Sequence, residues 1–397
     1  MHNTQLVLDL YRTHDQLSVA QIADRIKLSR TTIFKINYTL VNTGLVVQEG
    51  KGNSTPSGGK RPNVYTLNKD YGQIMCFHVK YDAIHLRLIT MKLDTLMQAD
   101  EPIPKNADLL TVCNVVHRLY RRILQEMPHI KIISIAAAVH GLVNSKEGIC
   151  YHSTYFPSWG ENAPLGAMIA SKLKVSVPIY VNSWIGYKTY AESEIGAFAK
   201  QHRGFILIDA GKHGIVSGVF LDNSLYRGAN YLSGEIGHMI VDPHDDRVCQ
   251  CGGTGCLESM ISFSRLVEQA YRLRDDYPES TLFSHTEPFT IEQFTSACKD
   301  QDPLAHFLMN KIIDWLAIGI SNINLIYFPE LIILEGDYGK AGPWFEQQLL
   351  EKIETVSMVR LKNKLNLVFN EPQAKSTLIG AAAYAVRQHL KRLHLTY

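Results

Sequence analysis

Between Asn3 and Thr13 the apolar residues Leu6, Val7, Leu10 and Tyr11 recur one helical turn apart, which predicts a short amphipathic helix. Ser18 is placed to cap a second helix, Val19–Ile26, whose Val19, Ile22, Ala23 and Ile26 share one face. After a three-residue break, Ser29 caps a third helix that runs to about Thr43 and is stopped by Gly44. Its buried stripe is Ile33, Ile36 and Leu40, leaving Arg30, Thr31, Thr32, Phe34, Lys35 and Tyr38 on the other side. Leu45–Gln48 and Val64–Leu67 read as two strands around the loop GKGNSTPSGGKRP. Two short helices joined by a tight turn, then a hairpin, describe a winged helix-turn-helix.

Beyond Tyr71 the pattern changes. Ile74–Val79 and Ile84–Met91 predict a strand hairpin, Leu109–Glu126 a long helix, and Lys131–Val139 an apolar strand closed by His140 and Gly141. A strand at Val177–Val181, a helix near Tyr187–Ala199 and strands at Gly204–Ala210 and Ile215–Leu221 follow. Leu304–Tyr327 then reads as helix, Leu331–Leu334 as strand and Ser376–Arg392 as an Ala-rich closing helix. Such alternation predicts an α/β body of two lobes, each with a mixed sheet. The expected division is a winged helix-turn-helix over residues 1–70 and the two-lobed body over 71–397.

Composition narrows this only slightly. With 46% hydrophobic and 20% charged residues, the 397-residue chain buries real cores and divides into more than one domain. No apolar run reaches the roughly 18 residues of a membrane span, and the opening MHNTQLVLDLYRTH lacks the apolar stretch of a signal peptide. A cytoplasmic location is expected. The net charge of +2 carries little by itself, but residues 1–70 hold nine Lys/Arg against five Asp/Glu. The basic surplus therefore sits on the helix-turn-helix. Thr31, Thr32 and Lys35 are the expected base or phosphate contacts, with Arg30 beside them. Phe34 suits either a thymine methyl or packing on the wing. In the wing, Lys60 and Arg61 suit a phosphate backbone or minor groove.

Three of the seven cysteines, Cys249, Cys251 and Cys256, crowd into eight residues, and His238 lies eleven residues before the first. Three thiolates and one imidazole make a closed tetrahedral set, so the expected cofactor is a structural Zn²⁺. The other four cysteines read as small buried hydrophobes.

This segment resembles the ROK family of sugar kinases and repressors. GEIGH at Gly234–His238 and CxCGxxGCxE at Cys249–Glu258 match that family's two signatures in order and spacing. GGKRP at Gly58–Pro62 resembles the wing-to-body junction of its repressors, and GAAAYA at Gly380–Ala385 their closing helix. The resemblance implies a ribonuclease-H/actin-like body with sugar held between its lobes. It also implies that Glu235, His238 and Glu258 hold sugar hydroxyls, and places Asn182, Ser183 and the loop glycines Gly141 and Gly214 in the same ligand site.

The same resemblance marks three departures from the kinases. Ser183 stands where the family has the carboxylate that deprotonates the attacking hydroxyl, and a serine is no base at neutral pH without an activating partner. The phosphate-cradling DxGGT aligns with His78, Val79, Lys80, Tyr81 and Asp82, so bulky side chains replace both glycines. Of the second glycine loop, Lys212 to Gly218, only Gly214 and Gly218 remain. The expectation is a non-enzymatic repressor of carbohydrate-metabolism genes that binds double-stranded operator DNA as a homodimer or homotetramer. A sugar or sugar-derived effector would control it. The alternatives are a sugar kinase with a DNA-binding extension, and a regulator repurposed for a non-sugar ligand or a protein partner.

Overall fold

The computed structural model describes residues 2–52, 61–212, 214–284, 288–358, 364–371 and 376–393. The chain begins with α1 (His2–Thr13), β1 (Leu17–Ser18), α2 (Val19–Ile26) and α3 (Arg30–Asn42), followed by β2 (Val46–Lys51) and β3 (Asn63–Leu67). Ser18 caps α2 reciprocally: its Oγ accepts from the Gln21 backbone N–H at 3.3 Å, while Gln21 Oε1 accepts from the Ser18 N–H at 2.8 Å. Ser29 Oγ accepts from the Thr32 N–H at 3.1 Å and starts α3. Three antiparallel strands in the order β1-β3-β2 complete this head, whose short β1 the apolar pattern did not anticipate.

The structure forms two compact units, Met1–Tyr187 with Thr377–Tyr397, and Lys188–Ser376. In the first, β4 (Gln73–Val79), β5 (Ala83–Thr90), β6 (Thr95–Pro102), α4 (Leu109–Glu126) and β7 (Ile132–Val139) come in succession. They are followed by β8 (Leu142–Asn144), β9 (Ile149–His152), α5 (Leu165–Leu173), β10 (Ile179–Ser183) and α6 (Trp184–Ile195). Its main sheet has the order β10-β7-β4-β5-β6. β4, β5 and β6 form an antiparallel meander, and β7 and β10 add in parallel on the far side of β4. β4 is buried along its whole length, as expected of a central strand covered on both faces.

The head's core is continuous with this unit's interior. Val7, Tyr11, Ile33 and Leu40 lie in one continuous buried cluster with Ile74 and Ile89 of the sheet and with Leu378 and Ala382 of the closing helix, Ser376–Arg392. Lys92, in the β5–β6 turn, also lies 3.6 Å from Asp15 of the head.

The second unit repeats the strand plan. β11 (Phe205–Gly211), β12 (Gly214–Leu221) and β13 (Ser224–Leu225) form a meander. Then come α7 (Leu257–Ile261), α8 (Phe263–Arg272), α9 (Ile291–Lys299), α10 (Pro303–Tyr327), β14 (Leu331–Glu335), α11 (Pro343–Val356) and β15 (Leu367–Phe369). The sheet order is β13-β12-β11-β14-β15, with β14 and β15 parallel to β11. A three-strand meander extended by two parallel strands, made twice, is the ribonuclease-H/actin-like arrangement.

Several boundaries differ from the apolar pattern. α6 begins at Trp184, earlier than expected, because Ser183 Oγ accepts from the Gly186 backbone N–H at 3.3 Å and caps the turn. The edge strand β6 escaped notice because five of its eight residues are solvent-facing. Among the described residues, no helix is long and apolar enough to cross a membrane.

Candidate metal centre and helix-turn-helix surface

In the second unit, a single-turn 3-10 helix, Ile236–His238, carries the imidazole, and Cys256 is the N-cap of α7. Between them, backbone bonds fold the loop back on itself: Cys249 N–H donates to Gly253 O at 2.8 Å, and Val241 N–H to Gly255 O at 2.9 Å. Gly255 has φ +71°, and a Cβ there would meet Asp242 O at 2.1 Å, so this crossing admits glycine alone. The fold brings one ligand atom each from His238, Cys249, Cys251 and Cys256 within 4.8 Å of one another. His238 Nδ1 lies 3.6 Å from Cys249 Sγ, and Cys251 Sγ 3.6 Å from Cys256 Sγ. A tetrahedron with metal–sulfur bonds of about 2.3 Å has edges of about 3.8 Å, so the donor set and its spacing suit a tetrahedral metal ion.

The thiols differ. Burial pushes Cys256 up to about 12 and raises Cys249, whereas the Gly253 N–H holds Cys251 below its ordinary value. Binding a cation here therefore displaces protons.

With Nδ1 facing the sulfurs, His238 turns Nε2 toward Glu235, whose Oε2 is 3.9 Å away. Glu258, in the first turn of α7, accepts the Ile215 backbone N–H. Its carboxylate passes so close to Gly214 that a Cβ there would lie 2.5 Å from Oε2. Burial raises the pKa of both carboxylates; His238 opposes this at each, and at Glu235 the Glu258 charge adds to it. Glu235, His238, Glu258 and Gly214, four of the residues expected to meet a ligand, thus gather around the cysteine loop.

The other three lie in the first unit, at the carboxyl ends of parallel strands. Asn182 and Ser183 end β10, in register with Ala138 and Val139 of β7. Asn182 is buried; its Oδ1 accepts the Ser183 N–H at 2.9 Å, and its Nδ2 has no partner among the described residues. Gly141, at φ +149°, lies where a Cβ would strike His152 O at 2.4 Å. Beside them His78 Nε2 is 3.1 Å from His140 Nε2, and the His140 ring stacks on Trp184 at 5.1 Å. Burial, then the His140, Lys80 and His85 charges, holds His78 well below its ordinary value.

Neither the Asp337 contact nor a buried ion triad in the second unit was anticipated. The Lys212 N–H, just after β11, donates to Asp337 Oδ2 at 3.2 Å, and Lys340 Nζ lies 2.7 Å from Asp337 Oδ1. Nearby, Lys188 Nζ is 2.7 Å from Asp209 and 2.8 Å from Glu335, the C-terminal residue of β14. Burial works against the Lys188 charge, but the two carboxylates outweigh it and hold its pKa above the ordinary value. The available signal was an acid directly after each of two apolar runs, Asp209 on β11 and Glu335 on β14.

On the head, Arg30, Thr31, Phe34 and Lys35 are exposed along α3. Thr32 is half-buried, with its hydroxyl 2.8 Å from Ser29 Oγ. Arg61 is exposed; Lys60 lies outside the described residues, as do Gly58 and Gly59.

A winged helix-turn-helix, two ribonuclease-H-like sheets and a His-Cys₃ centre together define a two-part protein, a reading head on a ligand-binding body. A model of the IclR helix-turn-helix domain matches residues 5–50, and a model of the ROK family matches residues 79–388. This chain belongs to the ROK family. It is similar to the xylose repressor of Caldicellulosiruptor bescii, 24% identical over 392 residues, 98% of this chain and 96% of that protein. It is also similar to the DNA-binding transcriptional repressor Mlc of Escherichia coli, 23% identical over 379 residues, 94% of this chain and 91% of that protein. Among solved structures, a ROK family transcriptional regulator described as a homolog of E. coli Mlc superposes with a TM-score of 0.79. Its identity is 23%, over 94% of this chain and 92% of that chain, a likeness of fold.

Proposed function

We propose that this chain is a sequence-specific DNA-binding repressor of carbohydrate-metabolism genes whose body senses a sugar or sugar-derived effector. One observation carries the reading: a helix-turn-helix with a cationic exposed face is built onto a body of the ROK family. Residues 1–70 are the DNA-binding head and 71–397 the sensing body, and the relatives named as repressors share nearly their full length with this chain. Two heads related by a two-fold axis suit a near-palindromic operator, so the working form is a homodimer or homotetramer in the cytoplasm.

Zn²⁺ is the ion that the His-Cys₃ set suits best, in a structural role, since all four positions are protein ligands. Taken unit by unit, the residues assigned to the effector are Glu235, His238, Glu258 and Gly214 in the second and Asn182, Ser183 and Gly141 in the first. Kinase chemistry is absent in this reading. Ser183 spends its oxygen capping α6, and Asp337 occupies the Lys212 N–H that a phosphate would need. A second reading keeps DNA but changes the effector to a phosphosugar, a polyol or a protein partner. It is favoured by Ser183 and by the stacked His78 and His140.

The test is an anisotropy titration of labelled duplexes with full-length protein and with protein lacking residues 1–70. Selective binding that vanishes with the head supports the reading. Equal affinity for every duplex, unchanged by the deletion, overturns it. A thermal-shift panel of sugars, phosphosugars and polyols separates the two effector readings, because a ligand at 100 times its Kd stabilises by about 2.7 kcal/mol.

A further inference from the structure

The face that α3 turns outward contains an aromatic row. Ile33, Ile36, Asn37 and Leu40 are buried, and the Tyr11 hydroxyl donates to Asn37 Oδ1 at 2.6 Å, which fixes the helix's rotation about its axis. Opposite this stripe Phe34 is 61% exposed and Tyr38 62% exposed. Residues four apart lie one above the other on a helix, so Phe34 and Tyr38 form one row, with Thr31 and Lys35 in a second row beside it.

Two large aromatic rings in one outward row go beyond the isolated exposed hydrophobics of an ordinary surface. α3 contains Arg30 and Lys35 and no carboxylate, so the row sits in a positively charged setting. That combination fits a polyanion carrying apolar groups at contact depth. Duplex DNA is such a partner. The Phe34 ring has no donor or acceptor, and the one apolar group on the major-groove base edges is the thymine C5-methyl.

We infer that Phe34 and Tyr38 are specificity-determining residues that read thymine methyl groups in the major groove of each operator half-site. This rests on the DNA-binding reading above and names the chemistry by which it selects sequence. Lys35 and Arg30 hold the phosphate backbone, Thr31 faces the groove beside the rings, and the two rings favour thymine at the positions they cover. Each methyl buried against a ring is expected to contribute about a fourfold preference for thymine over uracil.

The experiment begins with full-length protein and a library of random-sequence duplexes. The enriched duplex is then made twice, once with thymine and once with deoxyuridine throughout, which preserves base pairing and removes only the methyls. Wild type is expected to bind the deoxyuridine duplex at least about fourfold more weakly, and the F34A/Y38A variant to bind both forms alike. Both rings are exposed, so the variant keeps its core, which its unfolding transition checks. Equal affinity of wild type for the two duplexes overturns the inference while leaving DNA binding intact. So does an uracil penalty that persists in the variant, or a variant that changes only the oligomeric state. A chain that enriches no duplex at any salt concentration overturns the DNA-binding reading, and this inference with it.

Discussion

The backbone N–H of Lys212 donates to Asp337 Oδ2 at 3.2 Å, and a Cβ on neighbouring Gly211 would lie 2.6 Å from the same oxygen. A carboxylate thus occupies the turn at the carboxyl end of β11. Burial works against its charge, but Lys340 and the Lys212 N–H hold the Asp337 carboxyl below the usual range, so it stays ionised. An anionic phosphate approaching this turn meets a fixed negative charge. Incubated with ATP, Mg²⁺ and a panel of hexoses, the protein is expected to release no ADP above a blank. Sugar-dependent ADP release that is lost in Glu235→Gln would contradict this.

The cysteine loop makes a second prediction. Protein purified without chelator is expected to contain one Zn²⁺ per chain by elemental analysis, and Cys251→Ser to be substoichiometric. Because Glu258 lies in the first turn of the helix whose N-cap position is Cys256, the variant should also lose its ligand-induced thermal shift. Wild-type protein free of metal would remove the basis for both expectations.

His78 gives a pH dependence whose sign follows from its surroundings. The ring is 6% exposed and faces His140, Lys80 and His85, and its folded pKa lies well below the ordinary 6.5. Below pH 6.5 the unfolded chain takes up a proton that the folded state refuses. Stability is therefore fully present above that value and falls as pH drops toward the folded pKa, with a slope approaching about 1.4 kcal/mol per pH unit. Urea titrations between pH 7 and 5 should show this slope in wild type and a shallower one in His78→Gln. Parallel slopes would assign it to other groups.

Inside the head, removing the Tyr11 hydroxyl leaves Asn37 Oδ1 buried without its donor. Tyr11→Phe is expected to cost about 1–3 kcal/mol in chemical denaturation. A smaller cost would mean that the Asn37 amide finds another partner.

Arg61 tests the wing. It is exposed just before β3, and a phosphate contact there adds about one unit to the slope of log K against log salt. Arg61→Ala should flatten that slope and weaken binding to all duplexes alike. A change in which sequence is preferred would instead place Arg61 against base edges.

What could be read in advance was local. Ser18 and Ser29 announce the starts of α2 and α3 because a cap and its recipient N–H lie three residues apart. The His-Cys₃ cluster was legible because three of its four members fall within eight residues. The Lys212–Asp337 contact joins residues 125 apart, and the His78–His140 pair residues 62 apart; neither side chain carries a local signal of its partner. β8 and β9 were missed because three- and four-residue strands are too short to show a period. Ser183 was read by what it cannot do as a base, while its positive role, capping α6, depends on where the helix begins.

The head's shared interior bears on the order of synthesis. Its core includes Leu378, Ala382 and Leu390, which are made only after the whole of Lys188–Ser376. At the usual 5–20 residues per second, roughly 10–40 s separate the two halves of this core. Throughout that interval the cluster that buries Ile74 and Ile89 is incomplete. The buried face shared by the head and the first unit is therefore completed only when the last helix of the chain has been made.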